Sequence, residues 1–448
     1  MVLYNFDNNK IIHNRQMGWT IHAYVDPNFK DYNEVDDIYN MCDNVALLYM
    51  WSKLEPEEGK FDFKYLDEAI EKYTKMGKNL HFRISTDPMI YNGCEGVPEW
   101  LFEKYHVKYQ IKDDYGTKMK FPDYLNKKYL ERLSIFLKTL ANRYGHLDNL
   151  VQIDLRGYGE WGEWHSGYMH KDLKTHHKAL KKIIQVWVDA FKDTGIPLAL
   201  SCSYEWRDDL PLKLHAPKSV SEYLYFQAFD YALKQDIVTF RRDGIGGAIK
   251  YYDAELLHKY YQNGKHPICG EFFVAYLESK KRSDGIRGYH IEDALEEAFH
   301  LNPNYLMLPW DSVAFYNERQ DLVEYGLKRM GYRLVPKYID VKVDKEKNLL
   351  RLRQTWINKA CGKLCGAHTL IVRLEDDKNN VIEVKDNTFK PIKILQDKKY
   401  IHSTKFDCTN LKGTYNIYFA IVDDKNHYVN LPLDKQKGHF YHVGFVNI

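Results

Sequence analysis

The chain has 448 residues, of which 44% are hydrophobic, so it is long enough to bury more than one core. Its 64 basic and 62 acidic residues leave a net charge of +2, which gives no electrostatic reason to expect nucleic acid or an anionic membrane as a partner. The seven cysteines are scattered, and the close pair Cys361 and Cys365 has no second cysteine pair and no clear histidine pair beside it. No zinc site is therefore expected.

The cysteines and the N-terminus indicate where the protein resides. An odd number of scattered cysteines favours a reducing compartment. The N-terminus lacks a basic stretch followed by an apolar run, and no segment approaches the about 20 apolar residues of a membrane span. We expect a cytoplasmic protein, although removal of a signal peptide from a secreted protein would leave the same sequence. The oligomeric state stays open, with a homo-oligomer as one alternative.

Short apolar strands alternate with amphipathic helices over the first 332 residues, which is typical of a repeated βα fold. Strands are predicted at 17–24, 45–51, 80–85, 150–156, 197–203, 237–242, 267–273 and 305–310. Helices are predicted at 65–76, 126–144, 176–191, 221–234, 291–301 and 318–330. Eight strands with helical connections are the number needed for a closed (β/α)8 barrel.

The sequence pattern changes after Gly331. Short alternating strands follow one another, separated by turn residues and without an amphipathic helix, which predicts an antiparallel β-sandwich of about 110 residues. We therefore expect two domains, a barrel at 1–332 and a sandwich at 333–448. One alternative is a scaffold protein in which the sandwich is the working part.

The fourth predicted strand ends in the sequence GYGEWGEWH, which places Glu160 and Glu163 among Trp161 and Trp164. The carboxyl ends of the strands form the catalytic face of a (β/α)8 barrel. Indole rings stack on sugar rings, and an apolar setting raises the pKa of a carboxyl group into the range of a general acid. This stretch therefore indicates a sugar-binding or sugar-cleaving site.

The seventh predicted strand ends in Cys269-Gly270-Glu271, so Glu271 reaches the same rim. Two carboxyl groups suit cleavage of a glycosidic bond. One protonates the leaving oxygen, and the other attacks the anomeric carbon at about 5 Å separation or activates water at about 6.5–9.5 Å. The spacing alone leaves both Glu163 and Glu160 as candidates for the acid/base.

Polar and aromatic residues near the other strand ends are candidates for substrate binding. Arg83 either orients a carboxylate or forms an ion pair inside the barrel, and Trp310 is placed to stack on a sugar. The candidates for substrate binding are Arg83, Trp310, His165, Tyr168, Trp51, Asp311 and Arg242. The sequence shows no Walker-type loop, dinucleotide fingerprint, HExxH or GxSxG, so we expect neither a cofactor nor a metal.

These motifs resemble glycoside hydrolase clan A, whose barrels carry the acid/base after strand four and the nucleophile after strand seven. The segment YMWSKLEPEEGKFDF is similar to clan A β-galactosidase-like enzymes. The segments MGWTIHAYV, YGEWGEWH and GYRLV resemble a bacterial family of formerly unknown function with a W-G-E-W-H pattern. The resemblance implies a carbohydrate substrate and a retaining double displacement, with Glu271 as nucleophile and Glu163 as acid/base.

The chain departs from clan A at one position. Many members place Asn immediately before the acid/base, where it contacts the sugar 2-hydroxyl, whereas here Gly162 precedes Glu163 and Gly159 precedes Glu160. This difference leaves a second hypothesis open, a carbohydrate-binding barrel without catalytic activity.

Overall fold

A computed structural model describes residues 2–3, 9–26, 36–87, 90–91, 94–114, 117–164, 172–202, 218–247, 251–273, 275–281 and 290–448. The chain divides into two compact units. One unit comprises residues 19–301 and 306–320, and the other comprises residues 1–18, 302–305 and 321–448. This division differs from the predicted barrel range 1–332, because residues 1–18, 302–305 and 321–332 fall in the second unit.

Strands and helices alternate along the chain up to residue 329. The strands up to residue 307 are β1 (Val2–Leu3), β2 (Gly18–Tyr24), β3 (Cys42–Met50), β4 (Asn79–Ser85), β5 (Ile90–Tyr91), β6 (Cys94–Glu95), β7 (Tyr109–Asp114), β8 (Thr117–Pro122), β9 (Leu150–Leu155), β10 (Leu198–Ser201), β11 (Val238–Ile245), β12 (Cys269–Phe272) and β13 (Tyr305–Met307). The helices are α1 (Asp36–Met41), α2 (Trp51–Leu54), α3 (Lys64–Lys75), α4 (Trp100–Tyr105), α5 (Lys127–Tyr144), α6 (Leu173–Phe191), α7 (Val220–Phe226), α8 (Phe229–Ala232), α9 (Tyr251–Asn263), α10 (Tyr276–Lys281), α11 (Ile291–His300), α12 (Ser312–Glu318) and α13 (Gln320–Arg329).

Within the described residues, eight strands (β2, β3, β4 and β9 to β13) close into a barrel in chain order. The predicted (β/α)8 barrel is therefore confirmed. Side chains alternate between its interior and the surrounding helices. On β11, Phe240 points outward and packs edge-on against Phe229 of α8 and Tyr260 of α9, with ring centroids 5.4 and 5.1 Å apart. Arg241, one residue further, points inward and contacts Glu271 of β12. The barrel interior is therefore polar near its carboxyl rim.

Three predicted elements differ from the observed ones for local reasons. The second barrel strand ends at Met50, and Trp51 begins α2. The eighth strand ends at Met307, ahead of Pro309, which has no amide hydrogen for a ladder. The helix predicted at 221–234 is divided into α7 and α8, because Ala228 adopts a left-handed conformation with φ 53°.

The loop between the third barrel strand and α5 contains structure that the sequence pattern did not reveal. It holds α4 and a hairpin of β7 and β8, in which Tyr109 pairs with Pro122. The hairpin carries Lys112 to the rim, where its ammonium group pairs with Glu160. The following helix α5 begins where the Asn126 side chain accepts hydrogen bonds from the Lys128 and Tyr129 amides.

The second unit contains the predicted β-sandwich. Its later strands are β14 (Leu334–Asp344), β15 (Leu349–Asn358), β16 (His368–Glu375), β17 (Val381–Asp386), β18 (Tyr400–Asp407), β19 (Thr414–Asp423), β20 (Gln436–Lys437) and β21 (Phe440–Asn447). One sheet has the order β1-β14-β15-β18 and the other β17-β16-β19-β21-β20. Trp356 is fully buried in the core between Phe389 and Phe419. The sandwich prediction is confirmed, with β1 as an addition.

Two further observations concern cysteines and helices. Cys361 and Cys365 are buried free thiols, and burial raises the pKa of each to about 12. Such thiols are poor ligands for a metal, because the thiolate is the binding form.

In the part of the chain that the structure describes, no helix has the length and apolar character needed to cross a membrane.

Candidate active site

The segment 157–164, which follows β9, has an unusual backbone in which three glycines adopt positive φ values. Gly157, Gly159 and Gly162 have φ values of 101°, 78° and 67°, where glycine has no steric cost. A Cβ on Gly162 would lie 2.4 Å from the Asp87 Oδ2 atom, so space also requires glycine there. Gly162 therefore occupies the position before Glu163 for a structural reason, where the clan A pattern has Asn.

Two tryptophans in the same segment also adopt left-handed conformations. Trp161 has φ 51° and Trp164 has φ 66°, which is sterically unfavourable for a bulky residue. The Arg156 guanidinium donates a hydrogen bond to the Trp161 carbonyl and another, at 3.1 Å, to Asp87 Oδ2. The ring of Trp164 is fully buried, and its Nε1 donates to the Gln227 carbonyl at 3.0 Å. These contacts hold the strained segment in one conformation.

The turn at the end of this segment separates its two glutamates. Glu160 is fully buried in a short 3₁₀ helix and pairs with Lys112 of the β7–β8 hairpin. Glu163 is half-buried and projects toward Glu271 of β12 and Asp243 of β11. One carboxylate oxygen of each of these three residues lies within 4.8 Å of the other two. The structure therefore brings Glu163, and not Glu160, to the partner carboxylate.

Two arginines inside the barrel hold Glu271. Arg83 Nη1 donates to Glu271 Oε1 at 3.0 Å, and Arg241 Nη1 donates to Glu271 Oε2. Asp154 Oδ2 lies behind them, 2.9 Å from Arg83 Nε and 3.4 Å from Arg241 Nε. Arg83 thus both orients a carboxylate and forms an internal ion pair. The two guanidinium groups balance the two carboxylates, so the buried network carries no uncompensated charge.

His22 completes the group beside Glu271. Its Nδ1 accepts a hydrogen bond from Arg83 Nη1 at 3.3 Å, and its Nε2 lies 3.8 Å from Glu271 Oε1. Burial, together with the positive charges of Arg83 and Arg241, holds the pKa of His22 well below its usual value. A neutral imidazole with an accepting Nδ1 is the form that fits this position. The His22 ring stacks on Trp310, with centroids 4.0 Å apart.

The three clustered carboxylates also raise the question of a metal ion. Oxygen ligands at this spacing suit a hard cation such as Mg²⁺ or Ca²⁺. Both oxygens of Glu271, however, already accept hydrogen bonds from guanidinium groups, whose positive charge disfavours a cation beside them. The charge around Glu271 therefore disfavours a metal ion at this cluster.

Three of the predicted substrate-binding residues have other roles in the structure. Trp51 is fully buried outside the barrel, where it stacks on Phe136 and donates to Glu55 Oε2, so its prediction was wrong. Arg242 shares the outer face of β11 with Phe240, and its Nη2 lies 3.5 Å from Asp253 Oδ2 of α9. Asp311 Oδ2 accepts a hydrogen bond from the Leu277 amide of α10 at 3.2 Å.

The remaining predicted residues divide into two groups. Trp310 is half-buried at the rim, where it stacks on His22, and its second ring contact is Tyr24 at 6.1 Å. His165 and Tyr168 lie outside the described residues, so their positions stay predictions.

Sequence reasoning missed Arg241 and His22, although the alternation of the strands points to both. Val238 and Phe240 are the apolar residues of β11, so the opposite face, with Thr239 and Arg241, must line the barrel. The prediction placed Arg242 at the site because it comes last in the strand. Register within the strand, and not nearness to its end, selects the inward residue.

A closed (β/α)8 barrel with paired glutamates after its fourth and seventh strands has the arrangement of clan A glycoside hydrolases. The sequence model described as β-galactosidase, glycoside hydrolase family 42, matches residues 40–193. This match covers about a third of the chain and includes Glu160 and Glu163.

Bacterial β-galactosidases are among the similar sequences. The β-galactosidase BglY of Alicyclobacillus acidocaldarius is 29% identical over 154 residues, which cover 32% of this chain and 21% of that enzyme. The β-galactosidase Pbg of Clostridium perfringens is 32% identical over 102 residues, covering 22% of this chain and 14% of the relative. The matched part thus spans about a fifth or less of the length of these relatives.

Among solved structures, endo-glycoceramidase II from Rhodococcus sp. aligns over 88% of this chain and 99% of its own, with 13% identity and a TM-score of 0.44. Xylanase B from Clostridium stercorarium F9 aligns over 65% of this chain and 85% of its own, with 14% identity and a TM-score of 0.38.

Proposed function

We propose that the protein is a retaining glycoside hydrolase in which Glu271 is the nucleophile and Glu163 the general acid/base. The observation that carries this proposal is the approach of their carboxylate oxygens to within 4.8 Å. Retaining enzymes hold their two carboxyl groups about 5–5.5 Å apart, whereas inverting enzymes need about 6.5–9.5 Å to admit a water molecule. The same short separation argues against the alternative of a carbohydrate-binding barrel without catalysis.

In the first step, a Glu271 carboxylate oxygen forms a bond to the anomeric carbon while the bond from that carbon to the glycosidic oxygen breaks. Glu163 gives its proton to the departing oxygen, and the sugar remains attached to Glu271 as an ester. Hydrogen bonds from Arg83 and Arg241 fix the direction of the Glu271 oxygens. Fixed orientation of the nucleophile lowers the entropic part of the barrier.

In the second step, Glu163 removes a proton from a water molecule whose oxygen attacks the anomeric carbon. The bond between that carbon and Glu271 breaks, which regenerates the carboxylate and releases a sugar with the original anomeric configuration. Glu163 suits this exchange of protons, because it is half-buried and reachable by water. Glu160 is fully buried against Lys112 and lacks such access.

The substrate proposal rests on the relatives and on Trp310. Because the similar enzymes are named β-galactosidases, β-galactosides are the first substrates to test. Trp310 is half-buried beside His22 at the carboxyl rim, and it is proposed to stack on the sugar ring. Asp311 and Arg242 contact α10 and α9 and are not among the proposed sugar contacts, while His165 and Tyr168 remain proposed contacts.

Aryl glycosides with good and poor leaving groups test the assignment. Glu271→Gln is expected to abolish turnover of every substrate that the native protein cleaves. Glu163→Ala is expected to lose most activity on poor leaving groups and to keep some on dinitrophenyl glycosides, with azide restoring turnover by replacing the attacking water. Glu160→Gln serves as the control, and azide should not raise its rate. Near-native turnover by Glu271→Gln would refute the proposal.

A further inference from the structure

Asp243 has no role in the two-carboxylate mechanism, yet its carboxylate lies beside those of Glu163 and Glu271. It stands near the end of β11, two residues after Arg241, and is half-buried. One of its carboxylate oxygens lies within 4.8 Å of an oxygen of Glu163 and of an oxygen of Glu271. In the proposed mechanism, a third acid so close to both reacting groups faces the sugar atoms that lie between them.

The geometry of this cluster defines which atoms Asp243 can reach. For three oxygens no more than 4.8 Å apart, a point exists within about 2.8 Å of all three, which is a hydrogen-bond distance for a hydroxyl. In the proposed mechanism the anomeric carbon contacts Glu271, and the glycosidic oxygen contacts Glu163. Asp243 therefore faces the anomeric carbon and the atoms bonded to it.

The chemistry of a sugar then selects one partner. An ionised carboxylate only accepts hydrogen bonds. The ring oxygen and the glycosidic oxygen, both attached to the anomeric carbon, carry no proton to donate. The nearest donor is the hydroxyl on the adjacent carbon, the 2-hydroxyl. Hydrogen bonds to this group strengthen as positive charge develops at the anomeric carbon, so a contact here contributes mainly in the transition state.

We propose that Asp243 is a specificity-determining residue that accepts a hydrogen bond from the 2-hydroxyl of the sugar bound between Glu163 and Glu271. This inference rests on the proposed glycosidase function. It makes the enzyme selective for substrates with a free 2-hydroxyl over 2-deoxy sugars.

A cycle of enzyme variants and substrates tests the contact. The value of kcat/KM is measured for an aryl glycoside and its 2-deoxy counterpart with the same leaving group, on the native enzyme and on Asp243→Ala. Differences in the intrinsic reactivity of the two substrates cancel in this comparison. The substitution in the enzyme and the missing hydroxyl in the substrate each remove the same hydrogen bond to a charged group. The ratio of kcat/KM for the 2-hydroxyl substrate to that for the 2-deoxy substrate should therefore be roughly 10- to 150-fold smaller in Asp243→Ala than in the native enzyme.

The control variant is Asp230→Ala, whose carboxylate pairs with His177 on the outside of the barrel at 3.1 Å. It should keep the native preference. If Asp243→Ala shows the same preference as the native enzyme within about twofold, while the native enzyme is active, the assignment of Asp243 is wrong and the glycosidase function stands. If the native protein hydrolyses neither substrate, the proposed function and this inference fall together.

Discussion

Arg241 and Arg242 are consecutive residues of β11, and their side chains lie on opposite faces of the strand. One contacts the candidate active site, and the other contacts a surrounding helix. Arg241 points inward, where it donates to Glu271 and lies 3.4 Å from Asp154. Arg242 points outward to Asp253 of α9. Both side chains are nearly inaccessible to solvent, so each loses hydration that its carboxylate partners must replace.

These neighbours form a matched pair of mutations. Arg241→Gln is expected to lower kcat/KM by about 10²–10³, because it removes a preorganised donor to the proposed nucleophile. Arg242→Gln is expected to lower thermal stability, because it leaves Asp253 buried beside a neutral group, and to keep kcat within a few-fold of the native value. Steady-state kinetics and thermal unfolding of both variants separate the two effects. Equal losses of kcat would contradict the assignment of the two faces.

His81 should make the stability of the protein depend on pH. Burial lowers the pKa of His81 to about 4, with Arg83 acting in the same direction and Asp154 against it. Above about pH 6.5 the imidazole is neutral in both states and contributes nothing. As the pH falls below that value, the unfolded chain binds a proton that the folded protein does not, so folding becomes less favourable.

For His81 alone, this linkage amounts to a loss of about 2 kcal/mol between pH 7 and pH 5. His81→Gln should therefore lose less stability than the native protein over this interval, as measured by urea unfolding at the two pH values. His258→Gln, at an exposed position of α9, is the control and should behave like the native protein. The same pH dependence in all three proteins would show that His81 is not buried as a neutral group.

At the residue scale, the sequence pointed to candidate glutamates but was insufficient to assign their environments. Strand ends and glycine breaks pointed to Glu160, Glu163 and Glu271, because parallel strands deliver their last residues to one rim, and only the family resemblance favoured Glu163 over Glu160. The ion pair of Glu160 with Lys112 was not predictable, since 48 residues separate them in sequence. Trp51 was misassigned because a tryptophan after a strand looks the same in sequence whether it faces the site or a helix.

At the scale of elements, the segment after β9 is the one on which the site depends most. It places Glu163 by combining glycines in left-handed conformations with two strained tryptophans. Such strain persists where surrounding contacts determine the conformation, here the hydrogen bonds from Arg156 and Trp164. The segment therefore has little freedom to accept a larger residue.

Gly162→Ala tests this constraint. The new Cβ would clash with the buried Asp87 carboxylate, which Arg156 Nε holds in place, so we expect the segment to shift and carry Glu163 with it. A displacement of about 1 Å can cost about 10²-fold in rate, and we expect a loss of kcat/KM of that order. Gly77→Ala is the matched control, because Gly77 has a similar φ of 71° but no atom within 4 Å of the added Cβ. That variant should lose about 1 kcal/mol of stability and no activity. If both variants keep native activity, close packing at Gly162 does not position Glu163.

Among the elements, the barrel strands were predicted from short apolar runs, which are buried on both faces, and the long helices from the periodicity of their one buried face. Prediction failed where a conformation depends on distant partners. β1 has only two residues, whose pairing with β14 joins positions more than 330 apart, and the β7–β8 hairpin was missed inside a long loop although Asp114 and Gly116 are turn-forming residues. The division of the predicted helix at Ala228 arises from a non-glycine residue with positive φ, which sequence does not announce.

At the scale of the whole molecule, both architectures followed from the sequence because each has a repeated pattern. The alternation of strands and helices predicted the barrel, and the closely spaced strands after Gly331 predicted the sandwich. Which residues form each unit was harder to predict, since residues 1–18 belong with the sandwich through contacts between residues far apart in sequence. One such contact joins Asn14 and Asn430 through a hydrogen bond of 2.7 Å.

The central claim is that Glu271 forms a covalent bond to the sugar, and trapping of that intermediate tests it most directly. A dinitrophenyl 2-deoxy-2-fluoro glycoside, of the sugar that the native enzyme cleaves best, slows both steps but keeps the good leaving group. We predict that the intact mass rises by one fluoroglycosyl group and that peptide mapping places this group on Glu271. Release of a product with inverted configuration, or labelling of a residue other than Glu271 by an active enzyme, would contradict the mechanism.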